Sequence, residues 1–217
     1  KMKIGIIGYG VVGKAAEKTF LRCYEVVKFD KYFEYDSFES LSKCDFVFIM
    51  VPTPFDCSDN KINESAVIES LVKLEEMKYK GIVVIKSTLP PGSCNRYSIK
   101  FKLKIAFNPE FLRESTTPNE DFKNQDTIVI GTEIASIFKS VKEMYQKVAV
   151  DNARYYHTSA TDAEMIKCAQ NTMLASRVAL ANMIYDACQE NDVDYEKVKE
   201  IAFDSFEILG PNMVQAP

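Results

Sequence analysis

Six short apolar runs recur along the chain: 3–8 (KIGIIG), 25–30 (EVVKFD), 45–51 (DFVFIMV), 82–88 (IVVIKST), 103–108 (LKIAFN) and 127–131 (TIVIG). Each is about strand length, rich in Val, Ile and Phe, and nearly continuous in its apolarity. Strands of that kind are buried on both faces. Helix-like amphipathic stretches at 11–22, 64–78 and 133–147 can cover them. The fold class read from this alternation is α/β, a doubly wound, mostly parallel sheet with right-handed crossovers. A chain of 217 residues with 47% hydrophobic content can bury such a core.

The pattern changes after about residue 157. From Thr161 to Glu190 runs one helical signal without Gly or Pro, capped by Thr161 or Asp162 with Glu164 in its first turn. Its apolar residues occupy most of the circumference, so it needs partners on more than one side. A second helix is expected over 195–206. The division is therefore 1–157 for the α/β domain and 158–217 for a helical segment, with a homodimer formed through 161–190.

Composition removes several classes. With 27 basic and 31 acidic residues and no long basic run, no nucleic acid and no membrane surface is expected as a partner. The apolar runs are too short to span a bilayer. The six cysteines form no C-x-x-C pair and stand beside a single histidine, so no metal site is expected. Reduced thiols and a cytoplasmic location are the corresponding reading. Lys1 reads as an addition ahead of a native start at Met2.

The run 8–13, GYGVVG, is a G-x-G-x-x-G that leaves a strand and opens a helix. Gly8 permits the tight turn, Gly10 lets a pyrophosphate approach the backbone, and Gly13 lets the helix pack on the sheet. The amides there, with Val11 and Val12, suit a phosphate. Asp30 ends the next strand, placed to accept hydrogen bonds from both ribose hydroxyls, which favours NAD over NADP. Lys31 beside it weakens that preference.

Four further stretches stand in order: VPTP (51–54), STLPPG (87–92), NPEFLRES (108–115) and AEMIKCAQNTMLASRVALAN (163–182). Together with the glycine loop they resemble the UDP-glucose/GDP-mannose dehydrogenase family. The resemblance implies an NAD-binding Rossmann domain over 1–157. It also implies oxidation of the C6 alcohol of a nucleotide sugar, UDP-glucose first, to a carboxylate with two NAD+ and a cysteine nucleophile, in the service of polysaccharide biosynthesis. It assigns Thr88, Glu110, Lys167 and Asn171 to catalysis: Thr88 to a water near the reacting carbon, Glu110 to general base work, and Lys167 with Asn171 to an oxyanion at C6. To the cofactor it assigns the loop residues, Asp30, Lys31, Val51, Pro52, Thr53, Ser87, Thr88 and Glu114. To the substrate it assigns Glu110, Phe111, Leu112, Lys167 and Asn171.

The residues support these roles. Lys167 and Asn171 share a helix face four apart, and Thr88 and Glu110 end strands where open α/β sheets bind ligands. Plainer readings stay open. Lys167 can snorkel, Glu110 and Glu114 can pair with Arg113, and Thr88 can be a turn residue. His157 reads as structural and Cys168 as core. A non-catalytic NAD-binding module and a β-hydroxyacid-dehydrogenase-like enzyme are the alternatives. The sequence departs from the family where 31–44 is short, where Ser115 stands for a usual glycine, and where no GGxCxPKD-like loop appears before Pro217. The chain therefore reads as truncated and inactive alone.

Overall fold

The computed structural model describes residues 2–112 and 116–204. Two compact units are separable, one running to Cys168 and the other starting at Ala169.

The first unit begins with β1 (Lys3–Ile7), α1 (Val11–Phe20), β2 (Glu25–Phe29), a 3₁₀ turn (Phe38–Lys43) and β3 (Phe46–Ile49). A two-stranded hairpin of β4 (Phe55–Asp56) and β5 (Lys61–Ile62) precedes α2 (Ser65–Glu76) and β6 (Ile82–Ile85). Then come α3 (Ser93–Lys100), β7 (Lys104–Phe107), α4 (Pro118–Lys123), β8 (Thr127–Gly131), α5 (Ala135–Tyr145) and β9 (Arg154–Thr158). The long helix α6 (Ala160–Glu190) continues into the second unit, which also holds α7 (Tyr195–Lys199) and a π turn (Glu200–Asp204).

Among the described residues the main sheet has seven strands in the order β2-β1-β3-β6-β7-β8-β9. Every pairing is parallel except β7 with β8, which meet antiparallel at Phe107 and Gly131. Successive strand residues feed opposite faces, as a period of two requires. Phe46 and Phe48 join a core with α1, α4 and α5, including Phe20, Phe122 and Tyr145. Val47 and Ile49 join a second core with α2, α3 and the start of α6, including Leu71, Leu74 and Tyr97. This is the expected Rossmann-like α/β architecture, covered on both faces.

Several elements differ from the sequence reading. β9 forms from RYYHT, whose polar residues and partial exposure fit a sheet edge, not a buried run. The short helices α3 and α4 lie in polar sequence that lacks a long periodic stripe. The cap of α6 is Ser159, whose Oγ accepts from the Asp162 amide at 3.0 Å. The expected second helix turns from α to π geometry at Glu200.

Candidate cofactor and catalytic cleft

The strand order reverses beside β1, with β2 on one side and β3 on the other. Open α/β sheets bind ligands at the carboxyl ends of strands at such a switch point. The backbone ladder extends past the strands to hold that edge. Gly8 N donates to Phe29 O at 2.9 Å, Met50 N to Ile7 O at 2.8 Å, Lys86 N to Ile49 O at 2.9 Å and Asn108 N to Ile85 O at 2.9 Å. Above these ends lies a cavity of about 690 Å³. It is lined by the glycine loop, Asp30, Lys31, Val51–Thr53, Lys86–Thr88, Glu110, Leu112 and Lys167.

The glycines are used differently. Gly8 has a φ of +93°, and a Cβ there would come within 2.5 Å of Met50 O. A Cβ on Gly13 would strike Gly8 O, so that position holds α1 against the turn. Gly10 faces open space, with no atom within 4 Å of where its Cβ would be. Room beside Gly10, at the amino end of α1, fits a pyrophosphate. Asp30 fixes the other side of the turn. Its Oδ2 accepts from Tyr9 N at 2.8 Å and its Oδ1 from Tyr32 N at 2.9 Å. Each oxygen keeps a lone pair for a ribose hydroxyl. The residues thus fit a dinucleotide.

At the opposite end the hydroxyls of Thr53 and Ser87 stitch β3 to β6, donating to Thr88 O and Val51 O at 2.7 Å each. Glu110 is buried. Its Oε1 accepts from Phe111 N and Leu112 N at 2.9 and 3.2 Å, so the carboxylate folds back on its own loop. Its Oε2 lies 3.0 Å from Lys86 Nζ as an ion pair, making no hydrogen bond among the described residues. The Lys86 side chain has no exposed surface. It donates to Asn108 Oδ1 at 2.8 Å and lies 5.3 Å from the Phe122 ring centroid. Tyr145 OH donates to the same Oδ1 at 2.6 Å, and Asn108 Nδ2 donates to Val129 O at 2.7 Å. Burial pushes the Lys86 pKa down, and the adjacent Glu110 carboxylate opposes that shift.

Lys167 Nζ donates to Glu110 O and lies 5.4 Å from the Phe111 ring centroid. Phe111 packs against the α2–α3 core and Leu112 against the other. The structure thus brings Thr88, Glu110 and Lys167 to one cavity with the glycine loop. Asn171 is exposed in the second unit. Glu114, with Arg113 and Ser115, lies outside the described residues. Cys168 Sγ points to Leu89 O at 3.6 Å, and His157 stacks on Phe138 at 4.2 Å between centroids.

Lys86, Asn108 and Tyr145 are the residues sequence reasoning missed. The signal for Lys86 was a lysine inside an otherwise apolar strand run. Among the described residues no group of three or more His, Cys, Asp or Glu is placed to hold a metal ion. Likewise, none of the described helices is long and apolar enough to cross a membrane.

Fold and cleft define a dinucleotide-binding domain of the dehydrogenase type. Residues 17–149 match the NAD binding domain of the UDP-glucose/GDP-mannose dehydrogenase family, and residues 161–216 match its central domain. The chain belongs to that family, and its cofactor is NAD. It is similar to UDP-glucose 6-dehydrogenase from Rickettsia bellii, 32% identical over 200 residues that cover 84% of this chain and 45% of that protein. A Bacillus subtilis UDP-glucose 6-dehydrogenase is 30% identical over 175 residues, 76% of this chain and 39% of that one. Among solved structures, a UDP-glucose dehydrogenase from Pyrobaculum islandicum superposes with a TM-score of 0.81 at 25% identity, covering 93% of this chain and 56% of that one. The chain spans a little under half the length of the curated relatives it matches.

Proposed function

We propose that this chain is the cofactor-binding and proton-handling portion of a nucleotide-sugar 6-dehydrogenase that oxidises the C6 hydroxymethyl of an NDP-sugar, UDP-glucose first, to a carboxylate with two NAD+. The observation that carries the reading is the convergence of Glu110, Lys167 and Thr88 on the cavity that holds the glycine loop. Support for UDP-glucose comes from the relatives of that name. Bound NAD+ supplies a hydride acceptor. The protein must then remove the hydroxyl proton and stabilise the oxygen left behind. Glu110, a buried carboxylate on the cavity wall whose Oε2 pairs with Lys86 at 3.0 Å, is the group for the proton. The Lys167 ammonium, on the wall of the same cavity, stabilises the developing alkoxide. Thr88 orders the water for the second oxidation.

The domain division at 157 belongs to this proposal, supported by the family matches over 17–149 and 161–216. So does a homodimer through α6, supported by its exposed Met165, Leu174, Val178 and Met183. The cytoplasmic setting rests on six cysteines that form no disulfide.

The test is NADH formation from UDP-glucose by the polypeptide carrying this chain. Two NADH per sugar are expected, and Lys167→Ala lowers kcat by about 100-fold, as removal of an oxyanion donor does elsewhere. One NADH per sugar, or full activity in the alanine variant, refutes the reading.

A further inference from the structure

At the ribose end of the cavity four charges alternate. Asp30 ends β2 and is fixed by the Tyr9 and Tyr32 amides. Lys31 follows it and reaches across to α2, where its Nζ lies 2.8 Å from Glu69 Oε2. The other Glu69 oxygen lies 3.0 Å from Lys73 Nζ. Lys73 in turn lies over the Phe29 and Phe38 rings, at 6.0 and 5.5 Å from their centroids. All four charged residues line the cavity that holds the glycine loop.

We propose that Glu69 is a specificity-determining residue of the cofactor site. By pairing with Lys31, it withholds that ammonium from a ribose 2′-phosphate and keeps the site selective for NAD over NADP. The inference rests on the dinucleotide reading of the cavity and goes beyond it. A lysine directly after the ribose-binding carboxylate is the residue type that accommodates a 2′-phosphate. Here Glu69 pairs with both Lys31 and Lys73, and the carboxylates of Asp30 and Glu69 together balance the two ammoniums, so a 2′-phosphate arriving at this end meets no net positive charge. It also meets two carboxylates. Without Glu69, Lys31 and Lys73 would outnumber Asp30. Both Lys31 and Glu69 are well exposed, so the pair contributes little to folding. Its effect is on which anion the site accepts. The Lys31 contact also holds the Glu69 carboxyl below its ordinary value, so the carboxylate stays charged near neutral pH.

The experiment is calorimetric titration of NAD+ and NADP+ at low ionic strength into the chain, Glu69→Gln, and Glu69→Gln combined with Lys31→Met. Glutamine keeps the helical position and its shape. Glu69→Gln is expected to bind NADP+ about fivefold more tightly, the ratio an exposed charge pair supplies. NAD+ affinity changes by less than about twofold, and the gain disappears when Lys31→Met is added. Added salt shrinks the gain, because exposed charges are screened. NAD+ binding with an unchanged preference in Glu69→Gln overturns the inference alone. So does a gain that survives Lys31→Met, or an unmodified chain that already prefers NADP+. Failure of all three proteins to bind either nucleotide overturns the cofactor reading of the cavity, and this inference with it.

Discussion

Lys86 directly follows β6 with its side chain wholly enclosed, and Glu110 is the carboxylate that compensates it. A buried ion pair is a weak source of net stability, because desolving both charges offsets their attraction. Breaking it is another matter. Lys86→Met would fill a similar volume and leave Glu110 buried beside Tyr145 and Asn108 without a counter-charge. The expected loss is about 3 kcal/mol in urea unfolding, from the cost of an orphaned buried charge. Adding Glu110→Gln to Lys86→Met should recover about 1 kcal/mol or more, because it removes the orphan. A Lys86→Met chain as stable as the parent would show the pair to be incidental. This cluster also marks what the sequence could not reveal about the cleft. Gly8, Gly10, Gly13 and Asp30 were readable because one local strand-turn-helix-strand unit fixes their spacing. Lys86, Asn108 and Tyr145 come from three segments 22 and 37 positions apart. Their meeting depends on the sheet order and the packing of α5. The lysine stood out only as a charge in an apolar run.

At the scale of elements, α3 was invisible in the sequence because its eight residues carry little periodic signal. The residue that anchors it was read as serving α6. Glu164 is fully buried, and its carboxylate accepts from Gly92 N at 2.5 Å and from Cys94 N at 2.7 Å. A side chain on α6 thus caps the amino end of α3, where a negative charge is favoured. Burial nevertheless outweighs those hydrogen bonds and raises the Glu164 pKa above its ordinary value of 4.5. The folded state therefore binds this proton more tightly than the unfolded state does. The contribution of Glu164 to stability then falls as pH rises from about 4.5 through the raised pKa, and stays lower above it. Glu164→Gln removes that dependence. The unfolding free energy of the parent minus that of the variant should decline across this window, measured by urea titration at several pH values. A difference that is flat or rises with pH would contradict the account. The long apolar strands were legible for the opposite reason to α3: burial on both faces writes itself into every residue of the run. β9, at the sheet edge, has no such constraint on RYYHT.

At the scale of the whole molecule, α6 carries a run of exposed apolar residues. Its 31 residues span roughly 46 Å at the rise of an α-helix. Leu174, Val178 and Tyr185 follow the i, i+4, i+11 spacing of one helix face, and all three are exposed in the second unit. Met173, Leu180 and Met183 are exposed around the same helix. Apolar residues grouped in this way fit a contact surface. A second copy of the chain is the proposed occupant, since a two-fold contact buries the same face on both partners. Symmetry makes the prediction sharp, because one substitution enters the interface twice. Val178→Glu would place two carboxylates in an apolar contact and is expected to raise the dimer dissociation constant by about 100-fold or more. Val178→Leu, which keeps the surface apolar, should leave it nearly unchanged. Sedimentation equilibrium across micromolar concentrations reads both outcomes. A parent chain that sediments as a monomer throughout that range would refute the dimer. Equal dissociation constants for the parent and Val178→Glu would move the contact away from this face of α6.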